Sequence, residues 1–150
     1  MKKFIGEITE IFDRDIQKVI DEISKYENED DLWILPSGIN NSAGTLALHI
    51  AGNLQHFIGA VMGNSGYERN REEEFDARDL SQNEILSELN KAKLIVHQTL
   101  SNMEPEYINE NFPSKFQERI ITNQYLLIYL SGHLSYHLGQ INYHRRLLAD

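Results

Sequence analysis

Between residues 4 and 26 apolar side chains recur as Phe4/Ile5, Ile8, Ile11/Phe12, Ile16, Val19/Ile20 and Ile23, the 3-4 spacing of an amphipathic helix of about six turns. Residues 27–31 form an acidic linker, and residues 32–38 read as an apolar, mostly extended crossing that ends in a Pro36-Ser37-Gly38 turn, with Trp33 over one end of the core. Asn40, Asn41 or Ser42 can cap a second helix, which runs to about Gly63 and is stopped by Gly63-Asn64-Ser65-Gly66. Residues 67–79 are nearly all charged and predict a surface loop; the functional alternative is a lid pinned by Tyr67 or Phe75.

Ser81-Gln82-Asn83-Glu84 is a capping box that opens a third helix through Ile85, Leu89, Ala92, Val96, Leu100 and Met103. Residues 104–121 hold Pro105 and Pro113 without a lasting helical period, so they predict a long connection, with a short extended piece at residues 116–121. Thr122 or Asn123 then caps a fourth helix over residues 124–148. Four long amphipathic helices joined by long connections predict an all-α four-helix bundle with crossovers, in one domain covering residues 1–150.

Two of these helices carry histidines at matching spacing. On the fourth, the 100° turn per residue places His133, His137, Gln140 and His144 on one stripe, at the edge of the arc formed by Leu127, Leu130, Leu134, Leu138 and Ile141. On the second, His49, Asn53 and His56 fall within about 60° of one another, with Leu46, Ile50, Phe57 and Val61 farther round. Gly52 and Ala60 border the His49 stripe and leave room beside it. Neutral histidines that face one space need partners for both ring nitrogens, and a shared cation satisfies them. The competing reading is a set of core histidines that hydrogen-bond within the protein. His97 has no histidine one turn away and stays outside the candidate site.

Composition narrows the chemistry. The chain has no cysteine, so thiolate metal sites, disulfides and cysteine nucleophiles are excluded, and any metal must be held by nitrogen and oxygen. A net charge of −9 argues against a nucleic-acid partner, since phosphate contacts need clustered Lys and Arg. The one basic cluster, Arg145-Arg146, sits where it complements a helix dipole. No stretch is apolar and long enough to span a bilayer, and the N-terminus reaches Glu7, Glu10 and Asp13 before any apolar run develops, which predicts a cytoplasmic protein without a membrane partner.

The helix-two segment Leu48-His49-Ile50-Ala51-Gly52-Asn53, the charged loop, and His133-x-x-x-His137 followed by Gly139-Gln140-Ile141 together resemble the DinB-like (damage-inducible) superfamily over essentially the whole chain. The resemblance implies a four-helix bundle that forms a homodimer and binds a divalent metal such as zinc or nickel through His49, His133 and His137. It also implies a metal-dependent transferase or isomerase acting on a small-molecule substrate with a low-molecular-weight thiol, such as bacillithiol or mycothiol, as cosubstrate.

Three imidazoles leave a zinc-like ion with an open position, where an entering thiol would lose its proton at neutral pH. The absence of protein cysteine fits, because the sulfur then comes from the cosubstrate. Hydrolysis by activated water ranks second, because His133-x-x-x-His137 encloses Leu134, Ser135 and Tyr136 with no glutamate to serve as base. A non-enzymatic metal-binding or stress-related bundle is the third reading; a structural site usually closes four positions with protein groups, and His56 lies two turns from His49. Asn53, His56, Gln140 and His144 are candidates to orient the ligands or touch substrate, and Tyr129 and Tyr136 to line a pocket.

Overall fold

The computed structural model describes residues 1–149. Its long elements are α1 (Lys2–Ser24), α2 (Ala43–Leu54), α4 (Gln82–Ser101) and α5 (Asn123–Leu148), with a short α3 (Arg71–Asp76) between α2 and α4. α1 packs on α4 and α5, and α2 packs on the same two helices, so the order round the bundle is α1, α4, α2, α5. α1 lies diagonally across from α2, and α4 from α5, which is why the joining segments must be long.

Capping follows local chemistry. Ser42, Ser81 and Thr122 each accept a backbone N–H from the first turn of α2, α4 and α5, and Glu84 completes the box at Ser81. The core is aliphatic. Phe12, Ile16 and Ile23 of α1 meet Ile50 and Leu54 of α2, Ile85, Leu89 and Leu100 of α4, and Leu126 of α5, all fully buried; each contributes roughly 1.5–3 kcal/mol.

Polar clamps fix α5 against α1. Asp15, buried on α1, takes Arg14 Nε at 2.7 Å and accepts a hydrogen bond from Ser135 Oγ at 3.1 Å. Burial opposes this, yet the neighbouring guanidinium dominates and holds its carboxyl below the usual range. Glu22 accepts from Arg145 Nε at 2.7 Å. Tyr26 Oη lies 2.8 Å from His144 Nδ1, and His144 Nε2 lies 2.8 Å from the Ile34 carbonyl.

Three local expectations need correction, and a fourth, the 104–121 connection, gains detail. The second helix is not a simple amphipathic helix to Gly63: every residue of α2 is buried, and Gln55–Met62 continue it as a π-helix. That wider turn presents Gly59 to Ile95 and Gly63 to Thr99 of α4, contacts that any Cβ would block. The apolar crossing is extended only from Ile34, since Glu29–Trp33 form a 3-10 turn capped by Asn28, and the Trp33 indole donates to the Leu80 carbonyl at 3.2 Å.

The supposed surface loop at residues 67–79 contains α3, and Glu74 within it is buried. Finally, the 104–121 connection holds a 3-10 turn at Pro105–Asn109 and a tight hairpin, with bridges Asn111–Thr122 and Phe116–Arg119 closed by Gln117 and Glu118 at positive φ. Two consecutive positive φ values give the turn the twist a two-residue hairpin requires. Among the described residues no helix is long and apolar enough to cross a membrane.

Candidate metal centre

α2 and α5 lie side by side in the bundle, and their histidine stripes meet. His49 is buried, His133 and His137 are half-buried, and one nitrogen of each lies within 4.8 Å of the other two. His137 Nε2 is 3.0 Å from His133 Nε2, which is 3.4 Å from His49 Nε2. A tetrahedral ion with metal–nitrogen bonds of about 2.0–2.1 Å has nitrogen–nitrogen edges of roughly 3.4 Å, and the two short spacings through His133 are close to that edge.

Hydrogen bonding on the far side of the rings fixes where the lone pairs point. Glu74 Oε2 lies 3.1 Å from His49 Nδ1; a carboxylate only accepts, so Nδ1 carries the proton and Nε2 is the bare nitrogen. Gln140 Oε1 takes the same role for His137, accepting from Nδ1 at 2.6 Å. Two bare Nε2 atoms therefore face His133 Nε2, which has at most one proton to offer. At least one buried lone pair stays unmatched without a cation. This donor set, three imidazole nitrogens aimed at one point, fits a divalent metal ion.

The surroundings favour the neutral forms of His133 and His137. Burial pushes the His133 imidazole down to about 4, helped by His137, His49 and the Arg69 guanidinium. His137 is also lowered, first by burial and then by His49, against the bond to Gln140. Glu74 is held by Arg69, whose Nε and Nη2 donate to its two oxygens at 2.6 and 2.8 Å. Burial raises that carboxyl, but Arg69 and His49 outweigh it and leave it below its ordinary value. The carboxylate has space only because Gly52 has no side chain: a Cβ there would collide with it. The room beside the His49 stripe is thus filled by Glu74, and Phe75 tilts against the His49 ring at 5.0 Å.

Each remaining candidate has a definite place. Tyr129 lies nearly parallel to the His133 ring, 6.2 Å away, and its hydroxyl accepts from Gln117 Nε2 at 3.1 Å. Tyr136 meets His137 edge-on at 5.3 Å and is largely exposed. Asn53 is buried one turn beyond His49, and its Oδ1 has no hydrogen-bond partner. His56, in the π-helix, lies outside the histidine cluster and packs on Phe57; burial, then Arg69, lowers it against the pull of Glu74. His144 has both ring nitrogens occupied by Tyr26 and Ile34. His97 bonds Asp13 at 2.7 Å, away from the cluster.

Glu74 and Arg69 are the functional residues that sequence reasoning missed. In a run of nine charged residues nothing marks one glutamate as buried; the available signal was Phe75, the apolar residue able to fold that run inward beside Gly52.

No curated protein matches the sequence. A crystal structure of a DinB-like protein from Bacillus cereus ATCC 10987, at 2.01 Å resolution, has the same fold with a TM-score of 0.70 at 16% identity, covering 89% of this chain and 85% of that one. A family model described as "Protein of unknown function (DUF1572)" matches residues 1–150. With that match over its full length and a DinB-like bundle as its fold, the chain belongs to the DUF1572 family.

Proposed function

We propose that the chain is a divalent-metal-dependent enzyme, with zinc or nickel at His49, His133 and His137, that transfers a low-molecular-weight thiol to a small-molecule electrophile. The observation that carries this reading is the convergence of three imidazole nitrogens with no fourth histidine, cysteine or carboxylate in reach among the described residues. His49, His133 and His137 would hold the ion, which would supply Lewis acidity able to stabilise a small thiol as its thiolate near neutral pH.

The chain's own residues do the rest. Glu74 and Gln140 orient the His49 and His137 rings through their Nδ1 protons, and Arg69 keeps Glu74 charged in its buried setting. Asn53 is left with hydrogen-bonding capacity for a substrate group, and Tyr129 stacks beside the His133 ring. The sulfur must arrive with a cosubstrate because the chain has no cysteine. Glu74, the carboxylate nearest these ligands, is engaged by His49 and Arg69 and is not free to act as a hydrolytic base, which favours transfer over hydrolysis.

The test is metal content by mass spectrometry on untagged protein beside His49→Ala, followed by titration of a small thiol into cobalt-substituted protein. Near-stoichiometric metal that is lost in the variant, with a sulfur-to-cobalt charge-transfer band, is the expected result. Metal without a thiol response would transfer the assignment to hydrolysis or a structural role, and absence of metal binding would end it.

A further inference from the structure

A cleft of about 480 Å³ lies between residues 36–41 and the C-terminal half of α5. That is within the range of about 300–1,000 Å³ that small-molecule sites occupy. None of His49, His133 and His137 lines it, so it is separate from the metal centre. The two meet at one side chain. Gln140 lines the cleft and holds the His137 ring at Nδ1, the nitrogen other than the one that faces His133.

The walls are held in place by local chemistry. Ile39 donates its N–H to the Pro36 carbonyl at 3.0 Å, and Gly38 has a φ of +82°, the position and sign that a type II turn requires. His144 fastens the start of this segment to α5, its Nε2 lying 2.8 Å from the Ile34 carbonyl. Its Nδ1 is taken by Tyr26, so His144 gives the cleft ring carbon and no free nitrogen. On α5, Tyr136 and Tyr143 line the cleft two turns apart, about 10.5 Å along the axis. Gly139 lies between them with nothing within 4 Å of where a Cβ would stand, so the floor between the rings is open backbone.

The lining carries no charged side chain. The chain has 23 acidic and 14 basic residues, yet no carboxylate, lysine or arginine lines the cleft. Arg146 lies over the Tyr143 ring at 5.7 Å without joining the lining. The polar groups are three amides, Asn40, Asn41 and Gln140, beside the two phenols. Among the described residues the side chains of Asn40 and Asn41 have no hydrogen-bond partner. Gln140 gives its Oε1 to His137 and keeps its Nε2 free.

We propose that this cleft binds an uncharged planar nitrogen heterocycle, of the nucleobase or nicotinamide type, stacked against the Tyr136 and Tyr143 pair and read at its edge by Asn40, Asn41 and Gln140. A carboxamide side chain presents a donor and an acceptor together, which matches the adjacent donor and acceptor on such a ring. Aromatic side chains stack on its faces. An ionic ligand finds no counter-charge in the lining. A sugar fits less well, because each hydroxyl desolvated against Pro36, Ile39, Leu46 or Leu147 would lose its water without gaining a partner. The site stands on the chemistry of the cleft and does not depend on the metal reading.

Calorimetric titration of the metal-free full chain with adenine, hypoxanthine and nicotinamide, beside methyl β-glucoside and adenosine monophosphate, tests this. At least one of the three heterocycles should bind at one site per chain. Tyr143→Ala and Asn40→Ala should each weaken that binding about tenfold or more, Tyr143→Phe should keep most of it, and Leu94→Ala, exposed on α4, should leave it unchanged. Tyr143 and Asn40 are exposed, so these variants lose no core contact, and an unchanged circular dichroism spectrum checks the fold. Gln140 is left as it is because it also touches His137, so failure here leaves the metal reading standing. No saturable binding of any of the three at millimolar concentration, or binding indifferent to either alanine variant, would overturn the proposal. So would binding of the glucoside alone, or adenosine monophosphate binding more than tenfold tighter than adenine, which would assign the cleft to a sugar or to an anion.

Discussion

Glu74 Oε2 stands 3.1 Å from His49 Nδ1 and ties a run of charged surface sequence to the inner face of the bundle. Arg69 grips the same carboxylate with two nitrogens, so one buried glutamate joins the segment after α2 to the ring that would bind metal. Such a carboxylate fixes the tautomer and raises the basicity of a ligating imidazole. Glu74→Gln should therefore weaken metal affinity about 10- to 100-fold while the helical content stays the same. Competition against a chromophoric chelator measures this, and unchanged affinity would show that Glu74 holds α3 without tuning His49.

Gly52 tests the same contact from below. Gly52→Ala puts a methyl group where the Glu74 carboxylate sits, so that side chain and its Arg69 partner must move. Overpacking of this kind costs about 1–3 kcal/mol. Urea denaturation of the metal-free protein should show that loss, together with weaker metal binding. A variant as stable as the wild type would mean that Glu74 can find another place.

Acid should destabilise the metal-free protein in a definite window. The His133 imidazole titrates at about 4 in the folded chain and near its ordinary 6.5 once unfolded. Between these values the unfolded chain takes up a proton that the folded one refuses. The contribution of His133 is thus fully present above about pH 6.5 and is lost as the pH falls toward 4. Glu74, Asp15 and Glu22, each held below its ordinary value, add their losses at lower pH. Urea midpoints measured from pH 7 to 4 should decline, and His133→Gln should flatten the upper part of that decline; an equal slope in the variant would remove His133 as its source.

His144 should behave as a structural residue. Tyr26→Phe removes the hydroxyl that lies on its Nδ1 and leaves a buried acceptor unmatched, at a cost of about 1–3 kcal/mol. Metal affinity should not change. A shift in metal binding greater than in stability would bring His144 into the metal centre.

Much of this arrangement was legible in the residues because helical periodicity is strict. His49, His133 and His137 could be placed on two inward stripes from their spacing alone, and Ser81 with Glu84 marked the start of α4 to the residue. Three features were hidden for separate physical reasons. The π-helix at Gln55–Met62 is a change in hydrogen-bond register, which leaves no composition signal. α2 is buried on all sides because α1, α3, α4, α5 and the 3-10 turn at Glu29–Trp33 all pack on it, a tertiary fact that an apolar stripe on one face understates. Glu74 escaped because its burial depends on Gly52 and Arg69, residues that come together only in the folded chain.

The order of helices round the bundle also bears on how the chain reaches its folded state. Of the consecutive long helices, α2 and α4 pack most extensively, whereas α1 and α5 arrive from opposite ends of the chain, each after a long excursion. Loop-closure entropy favours the central pair as the first unit to form and makes docking of α5 late. His49 belongs to the early unit, and His133, 84 residues away, to the late one. A refolding chain would acquire its metal only as the last helix docks, so the rate of metal capture would report completion of the fold.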